Sequence, residues 1–94
     1  MSRLLRLTRR FHDSHTRLAL APASPGARGL AATIAALSRA EGLPGPDDYE
    51  TIIPPTEEAF VRRVPNQNLW VLFRFDASEV RIIGVVKQPP NLRN

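Results

Sequence analysis

The spacing of apolar positions changes twice along this chain. Near the start, Leu4, Leu5 and Leu7 alternate loosely with Arg6 and Thr8, while Leu4, Leu7, Phe11 and Leu18 share a helical face. Period alone does not choose between the two patterns. A short strand at about 3–8 followed by a helix from about 9 to 20 accommodates both. Positions 21–26, with two prolines and a glycine, break the chain. The clearest helix follows at 27–41, where Leu30, Thr33 and Ile34, Leu37, and Ala40 and Glu41 recur every three to four residues and alanine fills the remaining turns. Gly42 supplies a stop and Pro44 prevents continuation. From 59 onward the period falls to two. Three strands, 59–64, 68–75 and 79–88, are joined by turn-forming stretches at 65–68 and 76–79.

Pairing those strands through tight turns sets a register. Val64 faces Leu69, Arg63 faces Trp70 and Phe60 faces Phe73; then Phe75 faces Val80, Arg74 faces Arg81 and Trp70 faces Val85. Because side chains alternate across a sheet, one face carries Phe60, Arg62, Val64, Leu69, Val71, Phe73, Phe75, Val80, Ile82, Gly84 and Val86. This is the expected core face. The other carries Val61, Arg63, Trp70, Leu72, Arg74, Arg81, Ile83, Val85 and Lys87. Four basic side chains therefore gather beside the single tryptophan. Like charges directly opposite one another, as at Arg74 and Arg81, are destabilising. The pair makes sense if solvent or a neighbouring acid screens it, or if the face receives an anion. Phosphate suits guanidinium groups, and Trp70 could stack on a base. The candidate nucleic-acid-binding set is Arg63, Trp70, Arg74, Arg81 and Lys87.

Between helix and strands, 42–58 holds four prolines and five carboxylates. It reads as a loop, with Tyr49 to Ile53 as an extended edge segment. Asp47, Asp48, Glu50, Glu57 and Glu58 are either a solvated charge run or a phosphate mimic that shields the basic face. The expected fold is α+β: a short N-terminal strand, two helices, then a three-stranded antiparallel sheet. It forms one domain over 1–94, with a Pro-rich loop at 42–58 and a frayed tail at 89–94.

Ninety-four residues support one small domain. The absence of cysteine excludes disulfides and thiolate metal sites, and fits a reducing, cytoplasmic setting. A net charge of +4 and a pI near 11.0 favour nucleic acid, anionic surfaces or an acidic protein as partner. No apolar run approaches the roughly 18 residues of a membrane span, so no membrane partner is expected. Thr8-Arg9-Arg10-Phe11 is similar to a twin-arginine export signal, but the stretch from Leu18 to Ala23 is too short to serve as its apolar region.

For RNA cleavage by 2′-hydroxyl attack, the candidate catalytic residues are Arg74, Arg81 and Lys87. The arginines would stabilise the phosphate, and Lys87 would act as acid only with a shifted pKa. His12 and His15, three apart, could share a metal but read as surface residues, and Ser14-His15 lacks a third triad member. Glycine spacing fits no phosphate loop. No cofactor and no metal are expected.

Two stretches carry a family resemblance. Phe11-His-Asp-Ser-His-Thr-Arg-Leu18, followed by Leu30-Ala-Ala-Thr-Ile-Ala-Ala-Leu37, is similar to the F-x-x-x-[YH]-x-[KR]-L helix start and A-x-x-x-L second helix of the RelE/ParE superfamily of bacterial type II toxins. Val61-Arg-Arg-Val64, Leu69-Trp-Val-Leu-Phe-Arg-Phe-Asp76 and Val80-Arg-Ile-Ile-Gly-Val-Val86 resemble that family's sheet. The resemblance implies a small toxin neutralised by a cognate antitoxin. In RelE-type members it implies mRNA cleavage on the ribosome through basic residues of the exposed sheet face, a set sought here at Arg63, Arg74, Arg81 and Lys87. Many ribonuclease members also carry a His or Tyr near the C-terminal end, and no residue after Tyr49 is either. The alternatives are therefore a ParE-like, non-enzymatic inhibitor of DNA gyrase, and a non-toxic protein- or nucleic-acid-binding module.

Overall fold

Thr8 ends the first strand and starts the first helix. In the computed structural model, which describes residues 3–88 and 92–93, its hydroxyl accepts the Phe11 N–H and also donates to the Ile82 carbonyl. Eight elements follow in order: β1 (Leu4–Leu7), α1 (Arg9–Leu18), α2 (Pro25–Arg39), β2 (Asp48–Ile53), β3 (Glu57–Arg63), β4 (Trp70–Phe75), β5 (Glu79–Val86) and β6 (Leu92–Arg93). Helix α2 begins two residues earlier than its apolar period predicts. Ser24 caps it by accepting the Ala27 N–H, and Pro25 occupies the first turn, where no N–H is needed.

The expected three-stranded antiparallel sheet is corrected to a six-stranded mixed sheet, ordered β1-β5-β4-β3-β2-β6, within an α+β fold. Strand β1 pairs parallel to β5, and the other pairings are antiparallel. One added strand, β2, is the extended segment expected at 49–53, and another, β6, comes from the stretch read as a frayed tail. β2 pairs along its whole length with β3, from Asp48 opposite Arg62 to Ile53 opposite Glu57. β6 pairs with Glu50 and Thr51, so part of the tail is sheet; the rest of 89–94 lies outside the described residues. Prolines flank β2 on both sides. They stand beside the strand, where they remove no ladder hydrogen bond.

The core lies between α2 and one sheet face. Leu30, Ile34 and Leu37 pack on Val71, Phe73, Val80, Ile82 and Val85. The approach is close enough to demand glycine at one position: a Cβ on Gly29 would stand 2.8 Å from Val64 Cγ1. A smaller cluster, Ile53, Ala59 and Ile83 with Leu72 against it, occupies the opposite face.

The register of β3 with β4, and of the Arg74–Arg81 and Phe75–Val80 pairs, follows the turn arithmetic. It fails past Leu72 because of an irregularity between Leu72 and Phe73. Phe73 faces Ile82 while Leu72 faces Gly84, so Ile83 is extra. A bulge reverses the facing of every later residue in the strand. Val85, expected on the outer face, is paired with Val71 and buried in the core; Gly84 and Val86, expected in the core, stand opposite Leu72 and Trp70.

Helix α1 closes the edge of β5 beyond the end of β1. Thr8 binds the Ile82 carbonyl, and further along the helix Ser14 Oγ accepts the Val85 N–H at 3.1 Å. That N–H would otherwise be an unpaired edge donor. One side of α1 sends Phe11 into the core. The other sends Arg10 to Glu57, which lies on the opposite face of the sheet.

Candidate nucleic-acid interface

The sheet face away from α2 receives side chains from α1, β3, β4 and the end of β5. Arg63 and Trp70 are cross-strand partners, and the Arg63 guanidinium lies 5.5 Å from the centre of the Trp70 ring. The same guanidinium donates through Nε to the Gln67 carbonyl at 3.0 Å. This holds it over the indole, a contact worth about 0.5–1 kcal/mol at an exposed site. Four residues further along β4, Arg74 faces Arg81, and both are exposed.

Their repulsion is offset unequally. Glu79 accepts from Arg81 Nε and Nη2 at 3.0 and 2.9 Å, and pairs with Arg6 through its other oxygen. Among the described residues Arg74 has only a loose ion pair, 3.8 Å from Glu57. The adjoining β4–β5 turn is tied by Asp76, whose carboxylate accepts the Ser78 N–H, the Glu79 N–H and the Ser78 hydroxyl at 2.7–2.9 Å. Those bonds, the two backbone ones foremost, hold the Asp76 carboxyl below its ordinary pKa.

The predicted residues are thus not one continuous patch. Arg63 and Trp70 form one end of the face, and Arg74 and Arg81 the other. Lys87 lies just past β5 and lines a groove of about 660 Å³ between α1 and β2. Leu72, Ile53 and Val86 contribute apolar surface to it; Arg10, Ser14 and Arg17 come from α1, and among the described residues no carboxylate lines it. The α1 arginines were absent from the sequence-based set. Their signal was the spacing of 10, 14 and 17, which places them on one helical face.

The five carboxylates of the Pro-rich segment separate on folding. The Asp48 side chain is fully buried and accepts from Arg62 Nε and Nη2 at 2.5 and 2.8 Å, and from the Gly45 N–H at 2.6 Å. Its hydrogen bond raises the Arg62 guanidinium above its ordinary pKa. Arg62, the one charge predicted on the core face, is therefore neutralised inside the fold. Glu57 alone of the five forms an ion pair with the basic face among the described residues, accepting from Arg10 at 3.1 Å, while Glu50 and Glu58 line a pocket with Arg74 and Asp47 lines one with Arg63. Asp47, Glu50 and Glu58 make no ion pair among the described residues.

Neither His12 nor His15 lines the groove, and His15 stacks on Phe11. Among the described residues no cluster of acidic and histidine side chains is arranged to hold a metal. No helix among them is long and apolar enough to cross a membrane. Comparison with family models, with curated proteins and with solved structures finds no match to this chain.

Proposed function

We propose that this protein is a toxin of the RelE/ParE type, paired with a cognate antitoxin, and that it engages RNA on the ribosome through the sheet face opposite α2. The observation that carries this reading is the cross-strand pair Arg74 and Arg81, exposed and in direct register. A sheet gains nothing in stability from that pairing. An incoming phosphate would turn the repulsion into two charge-assisted contacts. The Arg63–Trp70 stack on the same face supplies a platform for a base. Arg74, Arg81 and Lys87 are the candidates for stabilising a cleaved phosphate. With no histidine or tyrosine in the groove lining, tight engagement of RNA is the better supported half of the activity.

The experiment is tightly induced expression in a bacterial culture, with growth and mRNA integrity followed together. Growth arrest is expected from the native chain and not from the Arg74→Ala/Arg81→Ala variant, whose circular dichroism stays native because both side chains are exposed. Arrest that survives the double substitution refutes the site. Arrest with intact mRNA and damaged DNA replaces RNA with gyrase as the target. A folded chain without effect on growth removes the toxin reading.

A further inference from the structure

Glu57 is held where an anion from outside would bind. Its Oε1 accepts from Arg10 Nη1 at 3.1 Å, and its Oε2 lies 3.8 Å from Arg74 Nη1. The two guanidiniums come from α1 and β4, so only the folded chain converges them on one carboxylate. All three side chains are more than a third exposed (61% for Arg10, 56% for Arg74 and 37% for Glu57). Exposed pairs of this kind are weak, and a carboxylate bound this way can exchange for another oxyanion.

The groove beside this cluster continues the pattern. Arg17 lies two turns beyond Arg10 on the same side of α1, about 10 Å along the axis. Arg17 and Lys87 line the groove and make no ion pair among the described residues. These two cations thus meet no lining carboxylate among the described residues, while Leu72 and Ile53 offer apolar surface between the walls. Spaced monoanions joined to flat, weakly polar rings match that arrangement, as does the Arg63–Trp70 platform on the same face. An acidic peptide matches the charge but does not couple a ring to every anion at a fixed spacing, as a nucleotide chain does.

We propose that Arg10 and Arg74 form a phosphate subsite for single-stranded RNA, that Glu57 occupies this subsite in the free protein, and that Arg17 and Lys87 continue the phosphate track along the groove. This rests on the reading that the face engages RNA. Of the five acidic residues of the Pro-rich segment, Glu57 is the one that pairs with both Arg10 and Arg74, and RNA binding releases it.

The test measures binding of a fluorescein-labelled oligouridylate to the full chain across a salt series. Glu57→Gln is expected to tighten binding about two- to five-fold at low salt. Glu41→Gln makes the same change of net charge at an exposed position with no ion pair, and is expected to leave affinity nearly unchanged. Arg17→Ala should weaken binding and reduce the slope of log K against log salt by about 0.7. Equal effects of Glu57→Gln and Glu41→Gln overturn the subsite, and an unchanged slope in Arg17→Ala overturns the track. Oligoglutamate of matched charge binding as tightly as the RNA overturns the choice of occupant. If native protein binds RNA and loses it in Arg74→Ala/Arg81→Ala, yet is indifferent to Glu57 and Arg17, this inference alone fails. Absence of salt-dependent RNA binding by the native chain removes the underlying reading as well.

Discussion

Replacing Asp48 by alanine is expected to cost about 3 kcal/mol. The carboxylate is 0% exposed and holds three donors: two from Arg62 and the Gly45 N–H. Removing one partner of a buried pair costs about 3–5 kcal/mol, because the other charge remains without compensation. Arg62 is 17% exposed and can recover part of its hydration, which puts the loss at the lower end of that range. A domain of 94 residues has a total stability of roughly 5–14 kcal/mol, so the variant should still fold at 25 °C. Its melting temperature should fall by about 12–24 °C, at roughly 4–8 °C per kcal/mol. Urea denaturation read by circular dichroism and by Trp70 fluorescence gives the free energy. The companion variant Asp48→Leu/Arg62→Met removes both charges and should cost less than Asp48→Ala alone. A loss below about 1 kcal/mol in Asp48→Ala, or a double variant less stable than the single, would refute the assignment of this pair as an interior anchor for β2.

Ser14→Ala should destabilise by about 1–3 kcal/mol by stranding the Val85 N–H at the sheet edge; a neutral result in urea denaturation would mean that α1 does not close that edge. Asp76 is bound more tightly as a carboxylate in the folded turn, so its contribution is present above the unfolded carboxyl pKa of about 3.9 and is lost as pH falls through the lower folded value. The stability gap between native protein and Asp76→Ala should therefore narrow on acidification below about pH 4; a gap constant from neutral to strongly acid pH contradicts this.

Much of the fold was legible because it is local. The helices announce themselves by apolar spacing, and the β3–β4 register by the composition of the intervening turn. The bulge left one clue, Gly84 inside an otherwise apolar strand, and glycine in a strand interior often marks such a site. Period-two arithmetic nevertheless runs through it, because the arithmetic assumes an unbroken ladder. Strand β2 was legible as an extended segment at 49–53, but its pairing with β3 was not. Its partner residues Glu57 and Glu58 have low strand propensity, and pairing in the folded sheet overrides that preference.

The basic face was partly legible for the same reason. Arg63, Trp70, Arg74 and Arg81 fall on one side of the sheet by alternation alone, ahead of any bulge. Arg10, Arg17 and Glu57 could not be assigned to it from the chain, because a helix at a sheet edge and the first residue of β3 meet only through long-range packing. The sequence by itself determined the helices, strands β3, β4 and β5 and the sign of the charge, since each follows from neighbours a few residues apart. Tertiary structure alone decided the sheet's extent, the reversal at Ile83 and which carboxylate confronts which arginine, because those depend on pairings between distant segments whose register no local pattern specifies.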